Sequence, residues 1–130
     1  IKAHEDSNNG HFDDYSEASM IPRDNLLTCD CDVLIPAALA NAITKEVATK
    51  TSAKLIIEAA NSPTTPVGNA ILHQRGAFVV PSILANAGGV IASYFEWTQN
   101  LQQYYWDYDK IVEELDKRMV KAFWDVIEVM

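Results

Sequence analysis

The stretch Lys54-Leu55-Ile56-Ile57-Glu58-Ala59-Ala60-Asn61-Ser62-Pro63-Thr64-Thr65-Pro66-Val67-Gly68-Asn69-Ala70-Ile71-Leu72-His73-Gln74-Arg75-Gly76-Ala77-Phe78-Val79-Val80 decides the fold. It opens with one apolar run of strand length, Lys54 to Glu58, and closes with another, Ala77 to Val80. Between them the punctuation of a helix is complete. Thr65 carries the hydroxyl of an N-cap, Pro66 suits the first helical position, and Gly76 follows Arg75 where a helix would end in a left-handed residue. Both apolar runs are continuous rather than alternating, the pattern of parallel strands covered on both faces. A strand, a helix and a strand joined by short links predict a right-handed crossover between parallel neighbours.

The same grammar extends outward. Upstream, Asp32-Val33-Leu34-Ile35 is a further strand, followed by a helix capped by Thr44 with Glu46 in its first turn. Before it, Pro22 opens a short helical turn through Leu27, with Asp24 near its positive end, and Glu5 to Ser19 is a polar loop without sustained periodicity. Downstream of Pro81 the chain reads as helical to about Asn100, pauses at Tyr104, Tyr105 and Trp106, and resumes as a helix near Asp107. In that last helix Ile111, Leu115, Met119, Ala122 or Phe123, Val126 and Met130 recur at three or four residues, which is one stripe packed on something. The predicted fold class is α/β: a Rossmann-like parallel sheet, partial, built of three βα units and closed by C-terminal helices. Residues 1–28 lead into the domain and 29–130 form it. Three strands are half of the roughly six in a dinucleotide-binding domain, and the Gly-x-Gly-x-x-Gly turn that would hold a pyrophosphate is absent from the 130 residues.

Composition narrows the partners. A net charge of −8 would repel a phosphate backbone or an anionic membrane, so neither nucleic acid nor membrane is an expected partner. No apolar run approaches the ~20 residues of a membrane span, and Ile1 to Gly10 have neither the basic nor the apolar region of a secretory signal. Cys29 and Cys31 are too close for an ordinary disulfide and two ligands short of a structural zinc site, so reduced thiols and a cytoplasmic location are expected. His4, His11 and His73 have no second ligand at metal spacing, and no metal is expected.

In open parallel sheets ligands bind beyond the carboxyl ends of the strands. Those ends are Pro36-Ala37-Ala38, then Ala59 through Pro66, then Pro81 through Gly89, all small or amide-bearing. Asn61 offers a donor and an acceptor to a carboxamide or ribose hydroxyl, or simply stabilises its loop. Gly88 and Gly89 stand where a helix should be starting. Either another group needs that space, or the helix packs closely on the sheet. Ser93 shares a helix face with Asn86, with Val90 between them, a hydroxyl, an amide and an apolar contact suited to a small polar substrate.

Four blocks together closely resemble the glutamate/leucine/phenylalanine/valine dehydrogenases: Pro36-Ala37-Ala38; Glu58-Ala59-Ala60-Asn61-Ser62-Pro63-Thr64-Thr65-Pro66; Val80 through Val90; and Ser93-Tyr94-Phe95-Glu96-Trp97. The likeness runs in order from about Cys29 to Phe123. It implies a Rossmann-like coenzyme domain of which this chain is the C-terminal, nicotinamide half, with NAD or NADP as cofactor. By that likeness Ala37 and Ala38 border the nicotinamide riboside, Asn61 binds it, Asn86 holds coenzyme and substrate, and Val90 and Ser93 line the amino-acid side-chain pocket.

A serine at the Ser93 position is the glutamate-type choice, because a buried carboxylate needs donors and a branched alkyl group does not. The implied activity of the whole protein is oxidative deamination of L-glutamate to 2-oxoglutarate and ammonia, by hydride transfer to the nicotinamide cofactor, in a homo-oligomer, commonly a hexamer. No catalytic acid or base is expected in this chain, since the family carries those in its other domain, and the isolated chain is expected to be inactive. A branched-chain or aromatic amino-acid dehydrogenase, and a non-catalytic Rossmann-like binding module, are the alternative readings. Two positions depart from the family pattern: Ala59 replaces a usual glycine and Ser62 a frequent one, so an obligatory left-handed backbone at Ala59 would distort the cofactor path.

Overall fold

The computed structural model describes Tyr15, Ser16, Ala18, Ser19 and residues 21–129. Most of the predicted Glu5–Ser19 loop, His4, His11 and Met130 lie outside the described residues. Arg23–Thr28 forms a short 3-10 helix where the sequence predicts a helical turn.

Three parallel strands, β1 (Val33–Leu34), β2 (Leu55–Ile57) and β3 (Phe78–Val80), lie in that order in one sheet. Val33 pairs with Leu55 and Leu55 with Phe78. Helix α1 (Lys45–Lys50) fills the first crossover and α2 (Pro66–Gln74) the second. Both caps are made as the sequence predicts: Thr44 Oγ1 accepts the Val47 N–H at 3.4 Å, and Thr65 Oγ1 accepts the Gly68 N–H at 3.1 Å. Pro66 opens α2, and Gly76 adopts φ +73° beyond its end. The Thr44 hydroxyl also holds the exposed Glu46 carboxyl below the usual carboxylate range.

Two features lock α1 to α2. A Cβ built on Gly68 would sit 2.6 Å from the Ile43 carbonyl oxygen, so only glycine lets α2 approach that backbone. From the end of α2, Arg75 Nη1 donates to the Ala48 carbonyl at 2.5 Å and Nη2 donates to the Thr51 carbonyl. These bonds occupy carbonyls at the C-terminal end of α1, which no later turn of the helix can reach.

Successive crossovers of one hand, in one direction along the sheet, put both helices on the same face. The core follows: Leu34, Ile56 and Val79 point to that face and pack with Ile43, Ala48, Ala53 and Leu72. The opposite face corrects the expectation that the strands are covered on both sides. Val33, Ile35 and Phe78 are exposed there, Val33 by 46%. The elements available to that face follow β3 and reach only its far end, where Ile57, Val80, Leu84, Met119, Phe123 and Trp124 enclose an apolar hollow of about 470 Å³.

Beyond β3 the helix expected to run unbroken is two. Helix α3 (Ser82–Ala85) stops at Asn86, and α4 (Ala87–Gln102) restarts at once. Asn86 sits at φ −95°, ψ 0°, and its side chain is drawn away to the end of β2. Helix α4 ends at Gln103 in the left-handed region, and α5 (Tyr108–Ile127) returns against it. The turn is held by Gln99, whose Nε2 donates to Phe95 O at 3.2 Å while its Oε1 accepts the Trp106 N–H at 2.7 Å. Phe95 is buried against Trp106, with the Arg118 guanidinium over its ring. The predicted stripe of α5 is real, but Ile111, Leu115, Met119, Ala122, Phe123 and Val126 are all only half-buried.

Candidate functional site

The three loops at the carboxyl ends of the strands form one hydrogen-bonded rim. Ala60 N–H, after β2, donates to Pro36 O, after β1, at 2.8 Å. Asn41 N–H donates to Ser62 O at 3.0 Å, and Ser62 N–H donates to Ser82 Oγ at 3.4 Å. Asn86 Nδ2 donates to Glu58 O at 3.5 Å. Buried backbone must find partners, and here the partners lie in neighbouring loops, which fixes the loops relative to one another.

On that rim Ala37, Ala38 and Asn61 are exposed, and the Asn61 side chain makes no hydrogen bond to the described residues. That favours a group turned outward over an asparagine spent on stabilising its own loop. Asn86 is half-buried, its amide nitrogen engaged by Glu58 O and its Oδ1 left as an acceptor. On the first two turns of α4, Val90 is 74% exposed and Ser93 is exposed. Ser93 Oγ donates to Gly89 O at 3.0 Å, so its proton is already used inside the helix. To donate to a ligand it must rotate out of that bond, which leaves Gly89 O its main-chain partner.

The glycine pair separates two readings. A Cβ at Gly88 or at Gly89 would meet nothing within 4 Å. Close packing on the sheet therefore does not require them, in contrast with Gly68. What they keep is free space beside Asn86.

The family departures resolve unequally. Ala59 is not among the residues with positive φ, so its methyl imposes no strain. Ser62 is in the left-handed region at φ 48°, the conformation for which glycine is the easiest choice.

One ionisable group adjoins the rim unannounced by the sequence. Glu58, which reads as an ordinary strand-end residue, is only 8% exposed, and its Oε2 accepts the Ser82 N–H at 2.9 Å. It also borders a hollow of about 590 Å³ shared with Ser62, Thr64, Asn69, His73 and Ser82, where Thr64 Oγ1 is buried without a partner among the described residues. None of Ala37, Ala38, Asn61, Asn86, Val90 or Ser93 lines that hollow. Among the described residues no cluster of three or more His, Cys, Asp or Glu could hold a metal, and no helix is long and apolar enough to cross a membrane.

A family model described as Glutamate/Leucine/Phenylalanine/Valine dehydrogenase matches residues 1–130. The chain is similar to glutamate dehydrogenase A2 of Halobacterium salinarum, 50% identical over 123 residues that cover 95% of this chain and 29% of that protein. It is also 50% identical, over 109 residues, to a cryptic catabolic NAD-specific glutamate dehydrogenase of Bacillus subtilis, covering 84% of this chain and 26% of that one. Among solved structures it resembles a hetero-hexameric glutamate dehydrogenase of Thermus thermophilus in a leucine-bound form, with TM-score 0.80 and 26% identity over 93% of this chain and 28% of that one. The chain thus spans less than a third of the length of the relatives it matches.

Proposed function

The chain belongs to the glutamate/leucine/phenylalanine/valine dehydrogenase family, and from that premise we propose that it is the nicotinamide-side half of the coenzyme domain of a glutamate dehydrogenase. The whole enzyme would oxidatively deaminate L-glutamate to 2-oxoglutarate and ammonia with NAD or NADP, in the cytoplasm and as a homo-oligomer. Residues 29–130 carry the half-domain and 1–28 lead into it.

The observation that supports this reading best is the open space over Gly88 and Gly89 beside an outward-facing amide rim. A flat ring needs backbone at close range and a few directed polar groups, and side chains at those two positions would fill the gap. Ala37 and Ala38 would border the nicotinamide riboside and Asn61 would bind it. Asn86 would present its Oδ1 to a donor on coenzyme or substrate. When bound, the coenzyme supplies the two-electron acceptor for the substrate Cα–H.

The chain's own part is to bind and orient. Ala37, Ala38, Asn61, Asn86, Val90 and Ser93 have no side chain that titrates near neutrality, so these six would bind and orient and none of them would serve as the acid or base. Val90 and Ser93 would line the side-chain pocket, where the Ser93 hydroxyl turns from Gly89 O to the distal carboxylate. A hydrogen bond to a charged group contributes about 1.5–3 kcal/mol, or roughly ten- to a hundredfold in specificity. Ser93→Val in the complete enzyme should therefore lower kcat/KM for glutamate relative to norvaline by at least about tenfold. An unchanged ratio would remove Ser93 from the pocket.

A further inference from the structure

Glu58 occupies an unusual place for a carboxylate. It is 8% exposed at the carboxyl end of the middle strand, with no cationic partner among the described residues. A buried carboxylate without a countercharge is costly unless hydrogen bonds satisfy it, so a surface salt link is not what keeps it there. What holds it is main chain from another loop: Oε2 accepts the Ser82 N–H at 2.9 Å across 24 residues of sequence.

The same residue uses its backbone in the same direction. Its N–H donates to Val80 O at 3.1 Å, and its carbonyl receives Asn86 Nδ2 at 3.5 Å. Ser82 in turn receives the Ser62 N–H on its hydroxyl. One residue thus ties three points to the end of β2, Val80 at the end of β3 and Ser82 and Asn86 beyond it, and Ser82 returns the tie to the loop that carries Asn61.

We propose that Glu58 is a positioning residue for the coenzyme cleft, a latch that sets Asn86 and Asn61 at a fixed separation by holding Ser82 and the start of α3 against the end of β2. This rests on the proposal that Asn86 and Asn61 bind coenzyme. Because Asn86 Nδ2 is committed to Glu58 O, the amide is oriented with Oδ1 outward as an acceptor. The carboxylate touches neither coenzyme nor substrate; its effect passes through the main chain.

The requirement is an acceptor at the end of a two-methylene stem, not a negative charge. Glutamine keeps both the length and an oxygen acceptor. Leucine keeps the bulk and leaves the Ser82 N–H without its partner, and leaving a buried donor unsatisfied corresponds to about a tenfold change in an equilibrium constant.

The test uses the complete enzyme and steady-state kinetics with coenzyme and glutamate varied separately, alongside thermal unfolding. Glu58→Leu should raise the coenzyme KM about tenfold while kcat at saturation changes less than about threefold, and Glu58→Gln should return the coenzyme KM to within about twofold of the parent. A merely structural role would lower Tm and all kinetic constants together, with no split between KM and kcat; that result overturns the latch, as does a glutamine variant as impaired as leucine. If the leucine variant fails to fold, Glu58→Asp keeps the charge but shortens the stem. It should raise the coenzyme KM where Gln does not, and a wild-type KM in Asp would overturn the proposal. Asn86→Ala separates the layers. If it leaves the coenzyme KM unchanged, the binding role of Asn86 fails and the latch fails with it; if it raises KM while Glu58→Leu does not, the binding role stands and the latch alone is overturned.

Discussion

Replacing Gly68 by alanine should destabilise the protein, although alanine is the better helix former. The exchange is worth about 1 kcal/mol in alanine's favour inside a helix, and no more than that at this third residue of α2. Against this stands the space available. The new Cβ would lie 2.6 Å from Ile43 O, 3.0 Å from Thr65 Oγ1 and 3.3 Å from Thr64 Cγ2. The first contact is with main chain, which cannot swing aside as a side chain can, so α2 must lift or the 43–44 segment must retreat. Ile43 O also accepts the Thr65 N–H at 3.1 Å and the Thr65 hydroxyl at 3.2 Å, and either movement strains both bonds. Overpacking of this kind costs about 1–3 kcal/mol, and weakening the two hydrogen bonds adds about 1 kcal/mol. Net of the helix gain, the loss is about 2 kcal/mol, a fall in Tm of roughly 8 °C for a folding unit of this size. Gly89→Ala is the internal comparison, because its Cβ meets nothing within 4 Å and helix preference acts alone. That variant should hold or raise Tm. Thermal unfolding followed by circular dichroism reads both. Equal shifts for the two variants, or a rise for Gly68→Ala, would refute the argument that close approach of α2 to the Ile43 backbone decides the residue at 68.

Arg75→Met should lower stability by about 2 kcal/mol, because the carbonyls of Ala48 and Thr51 lose a charged donor at the end of α1; denaturant unfolding measures it, and a change below about 0.5 kcal/mol would show that water substitutes freely. The Glu46 carboxyl, held low first by the Thr44 hydroxyl, contributes stability above its ordinary pKa that is lost as pH falls through its lowered folded value. Thr44→Val should therefore move the Glu46 titration, followed by NMR, upward toward the ordinary carboxylate value, and an unmoved titration would count against the cap. Amides of α5 from Ile111 to Val126 should show intermediate protection from hydrogen exchange, below that of β2, since the stripe packs on α4 but is only half-buried; free exchange along the whole helix would mean that it does not dock.

The half-sheet was legible because its signals are local. Thr44, Thr65, Pro66 and Gly76 act within one helical turn of themselves, and their caps form as their chemistry dictates. The break at Asn86 is only half legible: Asn86, Gly88 and Gly89 are weak helix formers, but the amide of Asn86 is drawn to Glu58 O, 28 residues earlier, which no local pattern records. Glu58 is illegible for the same reason: its partner is Ser82 at the start of α3, which no window around residue 58 contains. The bare far face is not legible, because a continuous apolar strand does not record which of its faces the later helices reach. Of the candidate site, the sequence offers candidate residues alone, while the use of the Ser93 proton by Gly89 O and the open space over Gly88 and Gly89 are properties of the folded chain.

The single-sided placement of α1 and α2 also bears on how the molecule comes together. Lys54 pairs with Asp32 across 22 residues, and Arg75 reaches back 27 residues to Ala48, so the half with the finished core closes only when whole strand and helix units are in place. Parallel pairing of this span is slow, because the intervening chain must be closed before the contacts reward it, and the apolar strands stay exposed meanwhile. The opposite face is covered only at its far end, by α3 and α5, and Val33, Ile35 and Phe78 stay in water in the finished fold. Those bare strand side chains are therefore the patch by which this fold would stick to another chain, in the finished state as well as on the way to it.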